Sequence, residues 1–168
     1  MGAGKSSVAR HLSELLGWRV EDTDRWVRRE QGWRSIADIF TTHGEAFFRE
    51  RETAALRSLQ WHKRTIVATG GGIVLRPENC ELLRTLGAVV LLTAGDEVLY
   101  ERVSRNRSRP LLHTEDPRAT LCALLRSREP LYRACADFVV DTSALTHAEV
   151  ARRTLAGVRE QFPDFALN

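Results

Sequence analysis

The sequence predicts an α/β fold, a parallel β-sheet with helices on both faces, and three observations point to it. Short β-rich runs alternate with helical apolar periodicity along the chain. One run, Ala88 to Leu92, is continuously apolar, as in a strand covered on both faces of a parallel sheet. The chain also opens on Met-Gly-Ala-Gly-Lys-Ser-Ser, where Gly4, Lys5 and Ser6 form the Gly-Lys-Ser end of a phosphate-binding loop, G-x-x-x-x-G-K-[ST].

In such a loop, successive backbone N–H groups cradle phosphate oxygens, the lysine reaches the outer phosphates, and the serine hydroxyl sits on Mg²⁺. Gly2 and Gly4 let the backbone curl without a Cβ in the way. An apolar-periodic run follows at once (Val8, Ala9, Leu12, Leu15, Leu16), so the phosphates are expected at a helix N-terminus, where unpaired N–H groups favour anions. The loop's first glycine and the strand that feeds it would lie before Met1. The expectation is therefore a start at an internal methionine or a trimmed chain. Of 25 basic residues only Lys5 and Lys63 are lysine, so a chain that uses arginine almost everywhere has lysine where a phosphate loop needs it.

At 168 residues the chain is expected to be one domain, residues 1–168, with a sizeable core. A net charge of +3 and a pI near 9.0 suit an anionic substrate, and with no dense basic stripe they give no reason to expect nucleic acid. Cys80, Cys122 and Cys135 show no C-x-x-C spacing and read as free thiols in a reducing cytosol. His11, His43, His62, His113 and His147 are too scattered to suggest a metal. With no apolar run approaching a membrane span and no visible signal peptide, a cytoplasmic protein is expected.

The first helix should run from about Lys5 to Leu16 and stop at Gly17. Trp18 to Glu21 is a short strand ending at Asp22-Thr23-Asp24. Those carboxylates could organise Mg²⁺ and a substrate hydroxyl, or Asp24 could cap a helix over Arg25 to Glu30, and position alone leaves both open. Gly32 breaks that helix, and Ser35 caps a short turn through Ile36, Ala37, Asp38, Ile39 and Phe40, with Asp38 as its capping-box partner. Past Gly44, Glu45 to Trp61 is a long helix on which Arg49 and Glu52 (i, i+3) could pair; for most such arginines a solvated face is the better reading. Thr65 to Ala68 is a strand running into Gly70-Gly71-Gly72. Three glycines exceed what a turn requires and suggest a ligand against bare backbone. Pro77 opens a helix through Leu86, closed by Gly87, and the strand Ala88 to Leu92 follows.

Gly95 to Arg105 is helical. The stretch from Ser104 to Pro117 is Arg-dense and bounded by prolines. Arg102, Arg105, Arg107 and Arg109 repel one another unless an anion is present, which favours a lid closing over phosphates at about residues 104–117. Pro117 to about Ser127 is a helix, Asp137 to Val140 the last strand, and Thr146 to Gln161 a closing helix with Val150, Leu155 and Val158 inward; the tail after Pro163 should fray.

These parts together resemble the shikimate kinases, P-loop enzymes of the nucleoside-monophosphate-kinase type, over about residues 1–161. Gly-Ala-Gly-Lys-Ser-Ser is similar to their Walker A end, and Asp22-Thr23-Asp24 to their D-T-D. Ser35-Ile36-Ala37-Asp38-Ile39-Phe40 with Gly44-Glu45 and Phe48-Arg49 resembles their substrate-binding helix region, here about residues 24–61. Gly70-Gly71-Gly72 is similar to the triple glycine at their Walker B position, Arg109-Pro110-Leu111-Leu112 to their lid, and Arg128 with Pro130-Leu131-Tyr132 to their second substrate arginine.

The resemblance implies a P-loop kinase fold whose first, central strand is missing from this chain. It implies transfer of the γ-phosphoryl group of ATP to the 3-hydroxyl of shikimate, a step of aromatic amino acid biosynthesis. Nucleotide would be held by Gly2, Ala3, Gly4, Lys5, Ser6, Ser7, Arg102 and Arg109, with Arg102 against adenine. Shikimate, a small carboxylate with three hydroxyls, would be held by Asp24, Arg49, Gly70, Gly71, Gly72 and Arg128, the two arginines clamping its carboxylate. Asp24 would accept the attacking hydroxyl's proton, while Lys5 and Arg109 neutralise charge on the phosphoryl group in flight. Mg²⁺ would be held by Ser6, with Asp22 helping through water. The expected partners are the small molecules ATP and shikimate, with no nucleic acid or membrane, and the expected state is a monomer. The alternatives are a related small-molecule kinase, such as a gluconate kinase, and a non-catalytic nucleotide- or shikimate-binding module.

Overall fold

Helix α1 (Lys5–Leu16) starts directly on the phosphate loop. Gly4 precedes it in the left-handed region (φ 80°), a turn that a side chain would resist, and Gly17 closes it in the same region (φ 66°). The computed structural model describes residues 2–104 and 114–164. The central part of the expected lid, Arg109 included, and the tail past residue 164 lie outside the described residues.

Strand β1 (Arg19–Asp22) leads straight into helix α2 (Thr23–Gln31). The cap of α2 is Asp22, not Asp24: Asp22 Oδ1 accepts a hydrogen bond from the Arg25 N–H at 3.0 Å. The helix thus begins two residues earlier than expected, which carries Asp24 into its first turn and inward. Helix α3 (Ile36–Leu59) opens on the expected capping box. Ser35 Oγ accepts from the Asp38 N–H and Asp38 Oδ2 from the Ser35 N–H, each at 3.1 Å. Gly44 (φ 81°, ψ 173°) breaks the helix internally and sets the direction of its second half. Val27, Ile39, Phe48 and Ala55 form the small core that fixes α2 against α3.

Strand β2 (Thr65–Ala68) pairs in parallel with β1. After the three glycines, a 3₁₀ turn (Ile73–Leu75) leads to α4 (Pro77–Leu86) and β3 (Val90–Thr93). Helix α5 (Asp96–Ser104) follows, then α6 (Pro117–Cys135), β4 (Phe138–Asp141) in parallel with β3, and α7 (His147–Gln161), which Thr146 and Glu149 open with a second capping box. Helix α6 does not end near Ser127. It runs through Pro130, which has no N–H for the Arg126 carbonyl, because its far end is held by non-local contacts. Tyr132 bonds Gly71, and Cys135 lies in a core with Leu56, Ile73, Val74 and Leu83.

The strands form two parallel pairs, β1–β2 and β3–β4, with no ladder between β2 and β3 among the described residues. The apolar strand expected to be covered on both faces is half-buried at all four positions of β3. The phosphate loop and the C-terminal ends of β1 and β2 lie together at one edge, where α/β proteins place ligands.

Candidate active site

The phosphate loop meets the D-T-D segment at Ser6, whose Oγ donates to Asp22 Oδ2 at 3.4 Å. Asp22 uses its other oxygen to cap α2, which fixes the carboxylate. A hydroxyl and a carboxylate oxygen side by side suit Mg²⁺, a hard cation that takes few protein ligands and keeps waters and substrate phosphates for the rest. Thr23, between the two aspartates, is fully buried and its Oγ1 accepts from the Gly70 N–H at 3.2 Å, tying β1 to the glycine run.

Asp24 lies on the inner side of that tie. Burial, with Asp22 nearby, raises its pKa above the ordinary aspartate value, against the opposing pull of Lys5, Arg49 and Arg28. Its Oδ1 is buried without a hydrogen-bond partner, as is Glu52 Oε1 on α3. A Cβ built on Gly70 would lie 2.6 Å from Asp24 Oδ1 and 2.8 Å from Glu52 Oε1, so the two carboxylates converge on that glycine.

Arg49 is 9% exposed, which sets it apart from the solvated arginines along the chain. Glu52 accepts from its Nη1, and Glu45 Oε1 from its Nε and Nη2 at 3.1 and 2.8 Å. Its guanidinium also stands 5.1 Å from the centre of the Phe48 ring. Sequence spacing suggested the pair with Glu52 but not its burial, which comes from α3 packing under the glycine run. Burial outweighs the attraction of Arg49 and pushes Glu52 up to about 6.

The triple glycine has a reason that sequence alone did not supply. Asp24 and Glu52 fill the space a side chain on Gly70 would need, and the Arg49 guanidinium fills it at Gly72. Tyr132 Oη, which donates to the Gly71 carbonyl at 2.6 Å, stands 3.3 Å from a Cβ at Gly71. Neighbouring side chains, as much as any ligand, require bare backbone there. Arg128 is half-buried on α6, four residues before Tyr132. Arg102 donates to Thr142 Oγ1 and to its carbonyl at 2.9 and 2.8 Å, binding α5 to the loop after β4.

Ala3 is buried beside Ala94 and Leu99, which seats the loop on α5. Ser7 is half-buried in the first turn of α1. Sequence reasoning did not assign Glu52, Tyr132 or Thr23 to the site, and it set His147 aside as scattered. The His147 ring packs against the phosphate loop, its Nε2 2.8 Å from where a Cβ on Gly4 would stand. No local signal marks His147, since the contact depends on α7 packing against α1.

Glu52 yields a stability prediction. Its pKa rises on folding from 4.5 to about 6, so the folded state binds its proton more tightly. That contribution is complete below about pH 4.5 and is lost as pH rises through 6, roughly 2 kcal/mol in all. Urea unfolding at pH 4.5 and pH 7 should show a fall of that size in the wild-type chain relative to Glu52→Gln. Parallel curves for the two proteins would contradict it.

Comparison with known proteins places this arrangement among relatives. A family model described as shikimate kinase matches residues 1–159. A curated shikimate kinase of Cupriavidus pinatubonensis is 44% identical over 155 residues, spanning 92% of this chain and 80% of the relative. One from Caldanaerobacter subterraneus is 41% identical over 155 residues, 92% of this chain and 90% of the relative. The solved structure of shikimate kinase from Acinetobacter baumannii in complex with shikimate superposes with a TM-score of 0.90 at 39% identity, covering 96% of this chain and 90% of that one.

Proposed function

The chain belongs to the shikimate kinase family, and we propose that its own residues carry the reaction of that family, transfer of the γ-phosphoryl group of ATP to the 3-hydroxyl of shikimate, giving shikimate 3-phosphate and ADP. The observation that carries this reading is the convergence of Asp24, Arg49 and Glu52 on Gly70 and Gly72, a β-strand's end away from Lys5, Ser6 and Asp22. One side offers cations and bare backbone for a small hydroxylated acid, and the other offers a cradle for phosphates.

Each group then has a role. Arg49, held by Glu45 and Glu52 and stacked on Phe48, is set in advance to meet a carboxylate, so little rotamer entropy is lost on binding. Arg128 closes the clamp from α6, and the Gly71 region offers backbone groups. The partnerless Oδ1 of Asp24 accepts the substrate hydroxyl, and its raised pKa makes it a stronger base than a surface aspartate. Lys5 and the N-terminus of α1 stabilise charge on the phosphoryl oxygens. Ser6, with Asp22 helping through water, would hold Mg²⁺, which would supply charge neutralisation at the phosphates. Arg102, held by Thr142, would pack against adenine, and Arg109, outside the described residues, would add a further cation.

Phosphoryl transfer of this kind demands positioning and electrostatics more than covalent chemistry, and a buried cluster of fixed charges supplies both. Among the described residues no helix is long and apolar enough to cross a membrane. A cytoplasmic monomer acting on small molecules, at a step of aromatic amino acid biosynthesis, is the setting we infer.

The test is ADP release with Mg·ATP in the presence of shikimate or of gluconate. Release that depends on shikimate and ignores gluconate is the expected result. Preference for gluconate would point to a related sugar-acid kinase, and shikimate binding without turnover would leave a binding module.

A further inference from the structure

We propose that Cys80 and Cys135 form a thiol modification site, which an oxidant of the peroxide class closes into a disulfide that shifts the glycine run of the substrate side. The three cysteines of the chain are free thiols. Cys80, half-buried on α4, packs against the core that holds Cys135, the last residue of α6 and 2% exposed. The two thiols interact directly: burial, and then the hydrogen bond with Cys80, push Cys135 up to about 12. A second contact ties the helices at the same point. Arg84, one turn after Cys80 on the same face of α4, donates through Nη2 to the carbonyl of Ala134, the neighbour of Cys135.

Each cysteine adjoins an anchor of the glycine run. Asn79, next to Cys80 and fully buried, donates through Nδ2 to the Ile73 carbonyl at 2.9 Å. Tyr132, one turn before Cys135, donates to the Gly71 carbonyl at 2.6 Å. The stretch from Gly71 to Ile73 is thus held between α4 and α6 by two residues that flank the thiols. A disulfide tolerates a narrow range of geometries, so replacing the thiol contact by one makes the two helices adjust where they carry Asn79 and Tyr132. Asp24 and Arg49 pack over the same run, at Gly70 and Gly72, and are reached by that adjustment. The thiols also differ in reactivity, which fixes the order of events. Cys135 is buried and held protonated, so the half-buried Cys80 reacts first. Its sulfur attacks the O–O bond of the peroxide and becomes a sulfenic acid as one water leaves. The Cys135 sulfur then displaces the hydroxyl, which departs with the Cys135 proton as a second water. Two thiols lose two electrons in all, and one peroxide is reduced to two waters.

The test treats the reduced full chain with a small excess of hydrogen peroxide, stops the reaction with catalase, and maps the thiols by alkylation and peptide mass. The expected product joins Cys80 to Cys135, is lighter by two hydrogens, leaves Cys122 open to alkylation, and reverts with dithiothreitol. Hydrogen exchange at the Ile73 and Leu75 amides, which bond the Gly70 and Gly72 carbonyls, should change at least about threefold. The kcat/KM for shikimate should fall about ten- to a hundredfold, while Kd for ATP stays within about twofold. Cys80→Ser should lose every response, and Cys135→Ala should stop at a sulfenic acid on Cys80 that dimedone traps. Cys122→Ser should respond as the wild type does. The proposal is overturned if Cys80 and Cys135 both stay open to alkylation, or if Cys80→Ser responds like the wild type. It is also overturned if the disulfide leaves either the exchange, or the shikimate kinetics of an active chain, unchanged. The kinetic arm alone rests on the phosphotransfer reading. A reduced chain that never turns over shikimate sinks that reading, whereas the linkage and the exchange then decide this one.

Discussion

Lys5→Met is expected to lower kcat for shikimate-dependent ADP release by about 10²–10³-fold, the scale for removing one preorganised group aimed at developing charge. The lysine is the first residue of α1, so its ammonium and the helix N-terminus act on the same phosphates. Methionine keeps the length and the helix propensity of the side chain, and the position is only half-buried, so the melting temperature should move by a few degrees at most. The loss should therefore appear in turnover and in ATP affinity while the shikimate dissociation constant stays near its wild-type value. Retained turnover would remove the phosphate-loop assignment, and with it the orientation of the whole site.

Asp24→Asn should cost about 10²–10⁴-fold in kcat, the range for loss of a positioned general base. The same change should leave stability equal or higher, because a buried carboxylate whose pKa is raised on folding destabilises the folded chain once it ionises at neutral pH. The variant thus separates chemistry from structure: activity falls while the melting temperature holds or climbs. Wild-type kcat should also lose activity on the acid side at a higher pH than an ordinary aspartate would give, and the asparagine variant should lack that limb. Full turnover by the variant would leave the positioning groups, Lys5 and the arginines, to carry the reaction without a base.

Much of this was legible in the sequence because the signals were local. Gly17, Gly32 and Gly87 end helices where expected, and both capping boxes, Ser35–Asp38 and Thr146–Glu149, close through contacts three residues apart. Of the two, Ser35–Asp38 is the box expected from the sequence. The Gly-Lys-Ser loop and the D-T-D segment come together as their order implied, at Ser6 and Asp22. Of the two roles the sequence leaves open for Asp24, the helix cap falls instead to Asp22, through an equally local bond from the Arg25 N–H. Helix α6, by contrast, passes Pro130 because the non-local contacts of Tyr132 and Cys135 anchor its far end.

The sequence by itself determined the alternation of helix and strand, the phosphate loop and the identities of the polar groups that meet at the site, since caps, glycines and periodicity act over a few residues. Only the tertiary structure decided which of those groups lose water. It buried Arg49 with Glu52, raised Glu52 to about 6, set His147 against Gly4, and packed side chains into the space over Gly70–Gly72. Desolvation and cross-element contact depend on residues tens of positions apart, and no local pattern carries that distance.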